Sequence, residues 1–155
     1  MRRSLRFGSV VAVASAALLA TSHGPSPAQA STSPRLPTAL IGTWDSAEGS
    51  VELIYVFRSS GTYVHVGVVL QERASGLFSF VNTARGTVTV RGRVLLLRPR
   101  SGTQTLRDPD VPSRNYRRPI SKKSKRYRWS IAGFGRSARL TLVDRTGNAV
   151  TYKRQ

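Results

Sequence analysis

Residues able to do chemistry are few in this chain and unevenly placed. There are two histidines, His23 and His65, no cysteine, and seven carboxylates: Asp45, Glu48, Glu52, Glu72, Asp108, Asp110 and Asp144. A metal centre needs two or three His or carboxylate ligands converging, and no such spacing occurs. Asp108-Pro109-Asp110 reads as a turn and not as a calcium loop, because further oxygen ligands are missing. A glycosidase needs two carboxylates facing a cleft. Asp45 with Glu48, or Glu48 with Glu52, are near enough in sequence, but turn and edge positions account for them equally well. No serine sits in a G-x-S-x-G elbow. His65, alone between Val64 and Val66, suits hydrogen bonding better than general-base work. No catalytic residue, metal or cofactor is expected.

The one dense chemical signal is cationic. Arg114, Arg117, Arg118, Lys122, Lys123, Lys125, Arg126 and Arg128 follow one another without an intervening acid, and Tyr116, Tyr127 and Trp129 are interleaved with them. Arginine offers planar forks to phosphate or carboxylate, and aromatic rings offer stacking faces. Two readings stand: an anion-recognising flap, or a solvated positive loop beside core aromatics. For the flap, the candidate anion-binding set is Arg114, Tyr116, Arg117, Arg118, Lys122, Lys123, Lys125 and Arg126. Trp129 shares a phase with Ile131 and fits the core better than a contact surface.

Short strands must position these residues. Alternation without any helical period runs through Leu40 to Ser46, Val51 to Arg58, Thr62 to Gln71, Leu77 to Asn82, Gly86 to Arg91 and Arg93 to Arg98. Turn signals separate the runs, notably Ser59-Ser60-Gly61 and Gly92. After Pro99 the alternation stops, and a long basic loop is predicted over residues 100–126. Strands resume at Tyr127 to Ala132, Ala138 to Asp144 and Asn148 to Arg154. Some eight or nine strands joined by tight turns predict an all-β, antiparallel up-and-down barrel, with a two-sheet sandwich as the alternative. Closing a meander into a barrel removes its exposed edges.

The chain has 155 residues and a formal charge of +18, with 25 Lys and Arg against 7 Asp and Glu. Residues 1–30 read as a signal peptide. Arg2, Arg3 and Arg6 precede an apolar run from Val10 to Ala20 that is too short to cross a bilayer, and Ala28-Gln29-Ala30 is an A-x-A site. Cleavage after Ala30 is predicted, with general secretion favoured over the twin-arginine route that Arg2-Arg3 would allow. Residues 31–38, rich in Pro and Ser, form a flexible tether before a single domain over 39–155. No later stretch is apolar enough to span a membrane as a helix. Arginine supplies most of the cations, a bias associated with high-GC bacterial genomes. An exported protein this basic suits anionic partners: wall polymers, phospholipid head groups or extracellular nucleic acid.

Gly42-Thr43-Trp44, preceded by Leu40-Ile41, resembles the G-x-W opening of lipocalin-like (calycin) proteins. So do, in order, Tyr55-x-Phe57, Gly61-Thr62-Tyr63, Gly92 before Leu95-x-Leu97, Asn115-Tyr116-Arg117-Arg118-Pro119, Tyr127-Arg128-Trp129 and Leu140-x-Leu142 with a final basic strand. The likeness is to secreted bacterial members of poorly defined function. It implies that Trp44 plugs the closed end of a barrel, behind Gly42, with Arg154 lying across its ring. It also implies a non-enzymatic binder of a small apolar or amphipathic ligand, lined by Tyr55, Phe57, Val66, Val68, Leu96 and Tyr152. The rival functions are a basic module for anionic polymers or membrane surfaces and, third, a hydrolase in which His65 meets an acid. The C-terminal helix and disulfides of animal lipocalins have no counterpart in this sequence.

Overall fold

The computed structural model describes residues 35–155. The predicted signal peptide and the start of the tether therefore lie outside the described residues. A single turn of 3-10 helix, Thr38–Leu40, leads into nine strands: β1 Gly42–Glu48, β2 Val51–Phe57, β3 Thr62–Arg73, β4 Gly76–Arg91, β5 Val94–Arg107, β6 Tyr116–Pro119, β7 Lys125–Ala132, β8 Arg139–Val143 and β9 Ala149–Arg154. Every pairing is antiparallel. The order β4-β3-β2-β1-β9-β8-β7-β5 closes on itself through β4–β5, giving an eight-stranded barrel with β6 as an extra strand on β5. This is the barrel, not the sandwich.

Three expectations are corrected. The tether does not extend through residue 38, because Leu36 and Leu40 are buried under the closed end of the barrel. The runs Leu77 to Asn82 and Gly86 to Arg91 are one strand, β4. The predicted loop 100–126 is largely strand: β5 continues to Arg107, and β6 and β7 share its other edge in one register. Only 108–115, which holds a 3-10 turn at Pro112–Arg114, and 120–124 lie outside the strands. Pro99 looked like a strand end because proline cannot donate to a ladder. It sits at a bulge where Arg85 pairs with Ser101 but Gly86 with Pro99, leaving Arg100 unpartnered. Gly86 fits here because an added Cβ would stand 2.0 Å from the Arg98 carbonyl oxygen.

Pairing decides which side chains fill the interior. Trp44, Tyr55, Phe57, Tyr63, Val88, Leu95, Leu97, Leu140, Leu142 and Tyr152 are all buried. Val90, Tyr127, Trp129, Ile131 and Val150 pack against them. Tyr55 stacks on Phe57 with centroids 5.4 Å apart and meets the edge of Tyr152 at 5.5 Å. An eight-stranded barrel has room for side chains or one small ligand, and aromatic rings occupy most of it here.

Candidate functional site

At the closed end, the indole N–H of Trp44 donates to the Leu40 carbonyl at 2.9 Å. The Arg154 guanidinium lies 4.5 Å over the Trp44 ring. Its Nη1 donates to the Ile41 carbonyl at 3.1 Å, and its Nη2 donates to the Ala39 carbonyl. Gly42 leaves space for this arrangement, since an added Cβ would stand 3.4 Å from Arg154 Nη1. The cation thus bonds the ring face and two carbonyls that the 3-10 turn and its C-cap Ile41 present. A hollow of about 250 Å³ lined by residues that include Ala39, Ile131, Phe134 and Arg154 lies at this end.

The other end is built differently. Three cross-strand rows descend into it on the inner face. The outermost is apolar: Val51, Val69, Phe80, Leu106 and Tyr116 are register partners across five strands. The next is mixed: Leu53, Gly67, Asn82, Gln104 and Arg118. The floor is Tyr55, His65, Ala84 and Gly102. Small residues at Gly67, Ala84 and Gly102 leave space that the larger neighbours do not fill. The result is a cavity of about 80 Å³ lined chiefly by Tyr55, Tyr63, His65, Asn82, Gln104 and Lys125, with Ile120 and Ser121 over it. A single water needs roughly 10–15 Å³ measured this way, so the cavity takes several waters or a head group of a few heavy atoms.

Its polar atoms have defined states. Burial lowers the His65 pKa to about 4; the bond to Ile54 opposes this, and nearby Lys125 reinforces it. The ring is therefore neutral at pH 7. His65 Nδ1 lies 3.1 Å from the Ile54 carbonyl oxygen, which can only accept, so Nδ1 carries the proton and Nε2 is a bare acceptor. The imidazole is clamped flat on Tyr55, 4.3 Å between centroids. Asn82 Oδ1 is buried without a hydrogen-bond partner. Arg118 Nε donates to Gln104 Oε1 at 3.3 Å, and its guanidinium lies 4.4 Å over the Tyr116 ring. Burial raises Tyr63 to about 12 and pushes Tyr55 and Tyr152 well above the ordinary phenol value, so all three phenols stay protonated. Asn82 Oδ1, buried beside His65 without a partner, calls for a donor, because a buried unpaired polar group costs about 1–3 kcal/mol. Among the described residues, no carboxylate lines the cavity.

The ligand-lining expectation divides on these facts. Tyr55 lines the cavity; Phe57 and Tyr152 face inward but are packed into the core. Val66, Val68 and Leu96 are corrections: they face outward. Both faces of β3 are apolar, so alternation alone allows two phases, and the pairing of Tyr55 with His65 selects the Tyr63, His65, Gly67 face. Leu95, Leu96 and Leu97 offer no alternation at all; Leu95 and Leu97 are the buried pair. Asn82 and Gln104 went unread because neither lies in a motif, and only their register brings them together.

The anion-binding set is not brought together as one flap. Arg118 and Lys125 turn toward the cavity, with Tyr116 on its outer apolar row. Arg117 pairs with Thr105 and is exposed, Arg126 joins a groove on the outside of the barrel, and Arg114, Lys122 and Lys123 are exposed in the two segments outside the strands. Among the described residues, only Arg73 forms ion pairs, 3.0 Å from Asp108 and 2.8 Å from Asp110. That clamp ties the β3–β4 turn to segment 108–115 at the cavity's mouth. Comparison with family models, with curated proteins and with solved structures finds no match.

Proposed function

We propose that this is an exported, non-enzymatic, lipocalin-like barrel that binds a small amphipathic molecule at its open end. The polar head of the ligand, carrying at least one N–H or O–H, enters the cavity and donates to Asn82 Oδ1 and His65 Nε2. Its apolar body rests on the row formed by Val69, Phe80, Leu106 and Tyr116. Lys125 and Arg118 at the rim favour a ligand with an anionic group beside that donor. The observation that carries this reading is the pairing of an unpartnered buried acceptor with an open cavity beneath an apolar shelf.

The size of the cavity narrows the ligand. Drug-sized or lipid ligands occupy pockets of about 300–1,000 Å³, so an acyl chain does not fit within the barrel and must lie across its mouth. Export follows from the basic, apolar and A-x-A segments of residues 1–30. A non-enzymatic role is in keeping with a neutral histidine whose cavity holds no acid.

Filling the cavity tests the proposal. Native mass spectrometry of protein recovered from culture medium should detect a small bound molecule released by solvent. Ala84→Leu, which occupies the cavity from its floor, should abolish that mass while leaving the circular dichroism of the barrel unchanged. Retention of the same molecule by Ala84→Leu would refute the site.

A further inference from the structure

A second concave surface lies on the outside of the barrel, away from the mouth. There the outward residues of β4, β5 and β7 meet the β8–β9 turn. Leu96 is the register partner of both Thr89 and Arg126, and Val94 of both Arg91 and Arg128. These rows and the turn bound a groove of about 640 Å³ whose floor includes Val94 and Leu96 and whose sides are Arg91, Arg98, Arg126 and Arg145. An adjoining hollow of about 490 Å³ shares Val94, Arg126 and Arg145 and adds Arg128. All five arginines are exposed.

The charge here is not neutralised internally. None of the five makes an ion pair among the described residues. The Asp144 carboxylate, which lines the adjoining hollow, is engaged by its own turn and forms no ion pair with these arginines. Its Oδ1 accepts from Thr146 N at 2.8 Å, Thr146 Oγ1 at 2.7 Å and Asn148 N at 3.0 Å. Apart from a long contact of Arg98 Nη1 with Thr89 Oγ1 at 3.5 Å, these guanidinium forks have no partner among the described residues that would hold them away from a ligand. Residues two apart on one strand face are about 6.7 Å apart, and neighbouring strands about 4.8 Å. Cations on this lattice repel one another, and a chain of regularly spaced anions lying along it relieves the repulsion.

We propose that this groove binds a linear phosphodiester polymer without bases, of the poly(glycerol phosphate) kind. Arginine suits the assignment because its planar fork matches phosphate oxygens in pairs. The aliphatic floor suits the methylene and polyol parts of such a chain. The absence of stacking faces separates this polymer from nucleic acid. Single strands are held by bases stacked on aromatic rings, and the groove presents none. Tyr127, at the edge of the adjoining hollow, is packed against the buried core of the barrel. The surface shares no residue with the cavity at the mouth, so this proposal stands or falls separately from the ligand site.

The test is binding of poly(glycerol phosphate) by isothermal titration across a salt series, using protein spanning residues 31–155. The wild type should bind with log K falling against log salt at a slope of about −3, as expected for four or five phosphate contacts at about 0.7 per contact on a flexible chain. The variant Arg91→Gln/Arg98→Gln/Arg126→Gln/Arg145→Gln should lose roughly 100-fold in affinity, with the slope flattened to near −1. Its thermal melt establishes that the barrel remains folded. A charge-matched variant, Arg114→Gln/Arg117→Gln/Lys122→Gln/Lys123→Gln, should bind within about threefold of wild type, since only long-range attraction is lost. Equal losses in the two variants would overturn the groove and leave only net charge. Tighter binding of an oligothymidylate of equal charge, or of anionic vesicles, would overturn the assignment of the polymer.

Discussion

At the scale of single residues, three side chains carry the two ends of the barrel. Trp44 with Arg154 seals one, and the contribution of the arginine is geometric as well as electrostatic. A cation over an indole is worth about 0.5–2 kcal/mol, and the fork also satisfies two carbonyls. Arg154→Lys keeps the charge but loses the fork, so it should destabilise the fold by about 1–2 kcal/mol in urea unfolding. Trp44→Ala should cost about 3–5 kcal/mol, without altering ligand binding at the far end. His65 governs the other end. Its folded pKa is about 4, below the unfolded value of about 6.5. Between these values the unfolded chain binds the extra proton, so the stability due to neutral His65 is complete above about pH 6.5 and is lost as the pH falls toward 4. The loss amounts to roughly 3 kcal/mol. His65→Gln should flatten that slope in denaturation measured from pH 7 to 4; an unchanged slope would mean that the histidine is not buried neutral. Trp44 and Arg154 were legible from motif and phase. His65 was legible only as a lone histidine, because what makes it notable is the company of Asn82 and Gln104, remote in sequence.

At the scale of elements, the strands were readable wherever one face was polar and the other apolar. β7 shows this: Tyr127, Trp129 and Ile131 share its inner face, opposite Arg126, Arg128 and Ser130, as the alternation predicts. β3 was ambiguous because Val64, Val66 and Val68 are as apolar as the face they oppose. Only pairing to β2 resolves such a strand, since a one-residue slip exchanges its faces. β5 was cut short for a different reason. Pro99 and Gly102 both read as breakers, yet one sits at a bulge and the other at a close approach. An added Cβ at Gly102 would stand 2.0 Å from the Thr83 carbonyl oxygen and 2.9 Å from Ile120 Cδ1. Gly102→Ala should therefore destabilise by about 2–4 kcal/mol, as overpacked sites do. Gly92→Asn, at a hairpin turn with φ of 55° and open space around it, should cost well under about 1 kcal/mol, since Asn tolerates that conformation. Chemical denaturation of the pair would show whether close strand contact, and not turn geometry, makes β4–β5 intolerant. Equal costs would contradict it.

At the scale of the whole molecule, the barrel separates two chemistries that the linear chain mixes. Residues 114–128 read as one basic tract, but the strands send alternate side chains to opposite faces. Lys125 and Arg118 go to the mouth, while Arg126 and Arg128 go outside to join Arg91, Arg98 and Arg145 from other strands. This sorting is why the fold was legible in the sequence and the site was not. Alternation reports that a residue has a face, but the closure of the barrel decides which distant residues share it. The cavity at the mouth is the consequence that matters most, and a small-molecule titration followed by NMR tests it directly. Adding an N-acyl amino acid with a short chain should shift the Asn82 side-chain amide, the His65 ring and the backbone amides of Gln104 and Ile120. It should leave Trp44 and Arg154 unmoved, and Ala84→Leu should abolish every shift. Shifts confined to the outer face of β4, β5 and β7, or shifts that persist in Ala84→Leu, would contradict a ligand site within the mouth of the barrel.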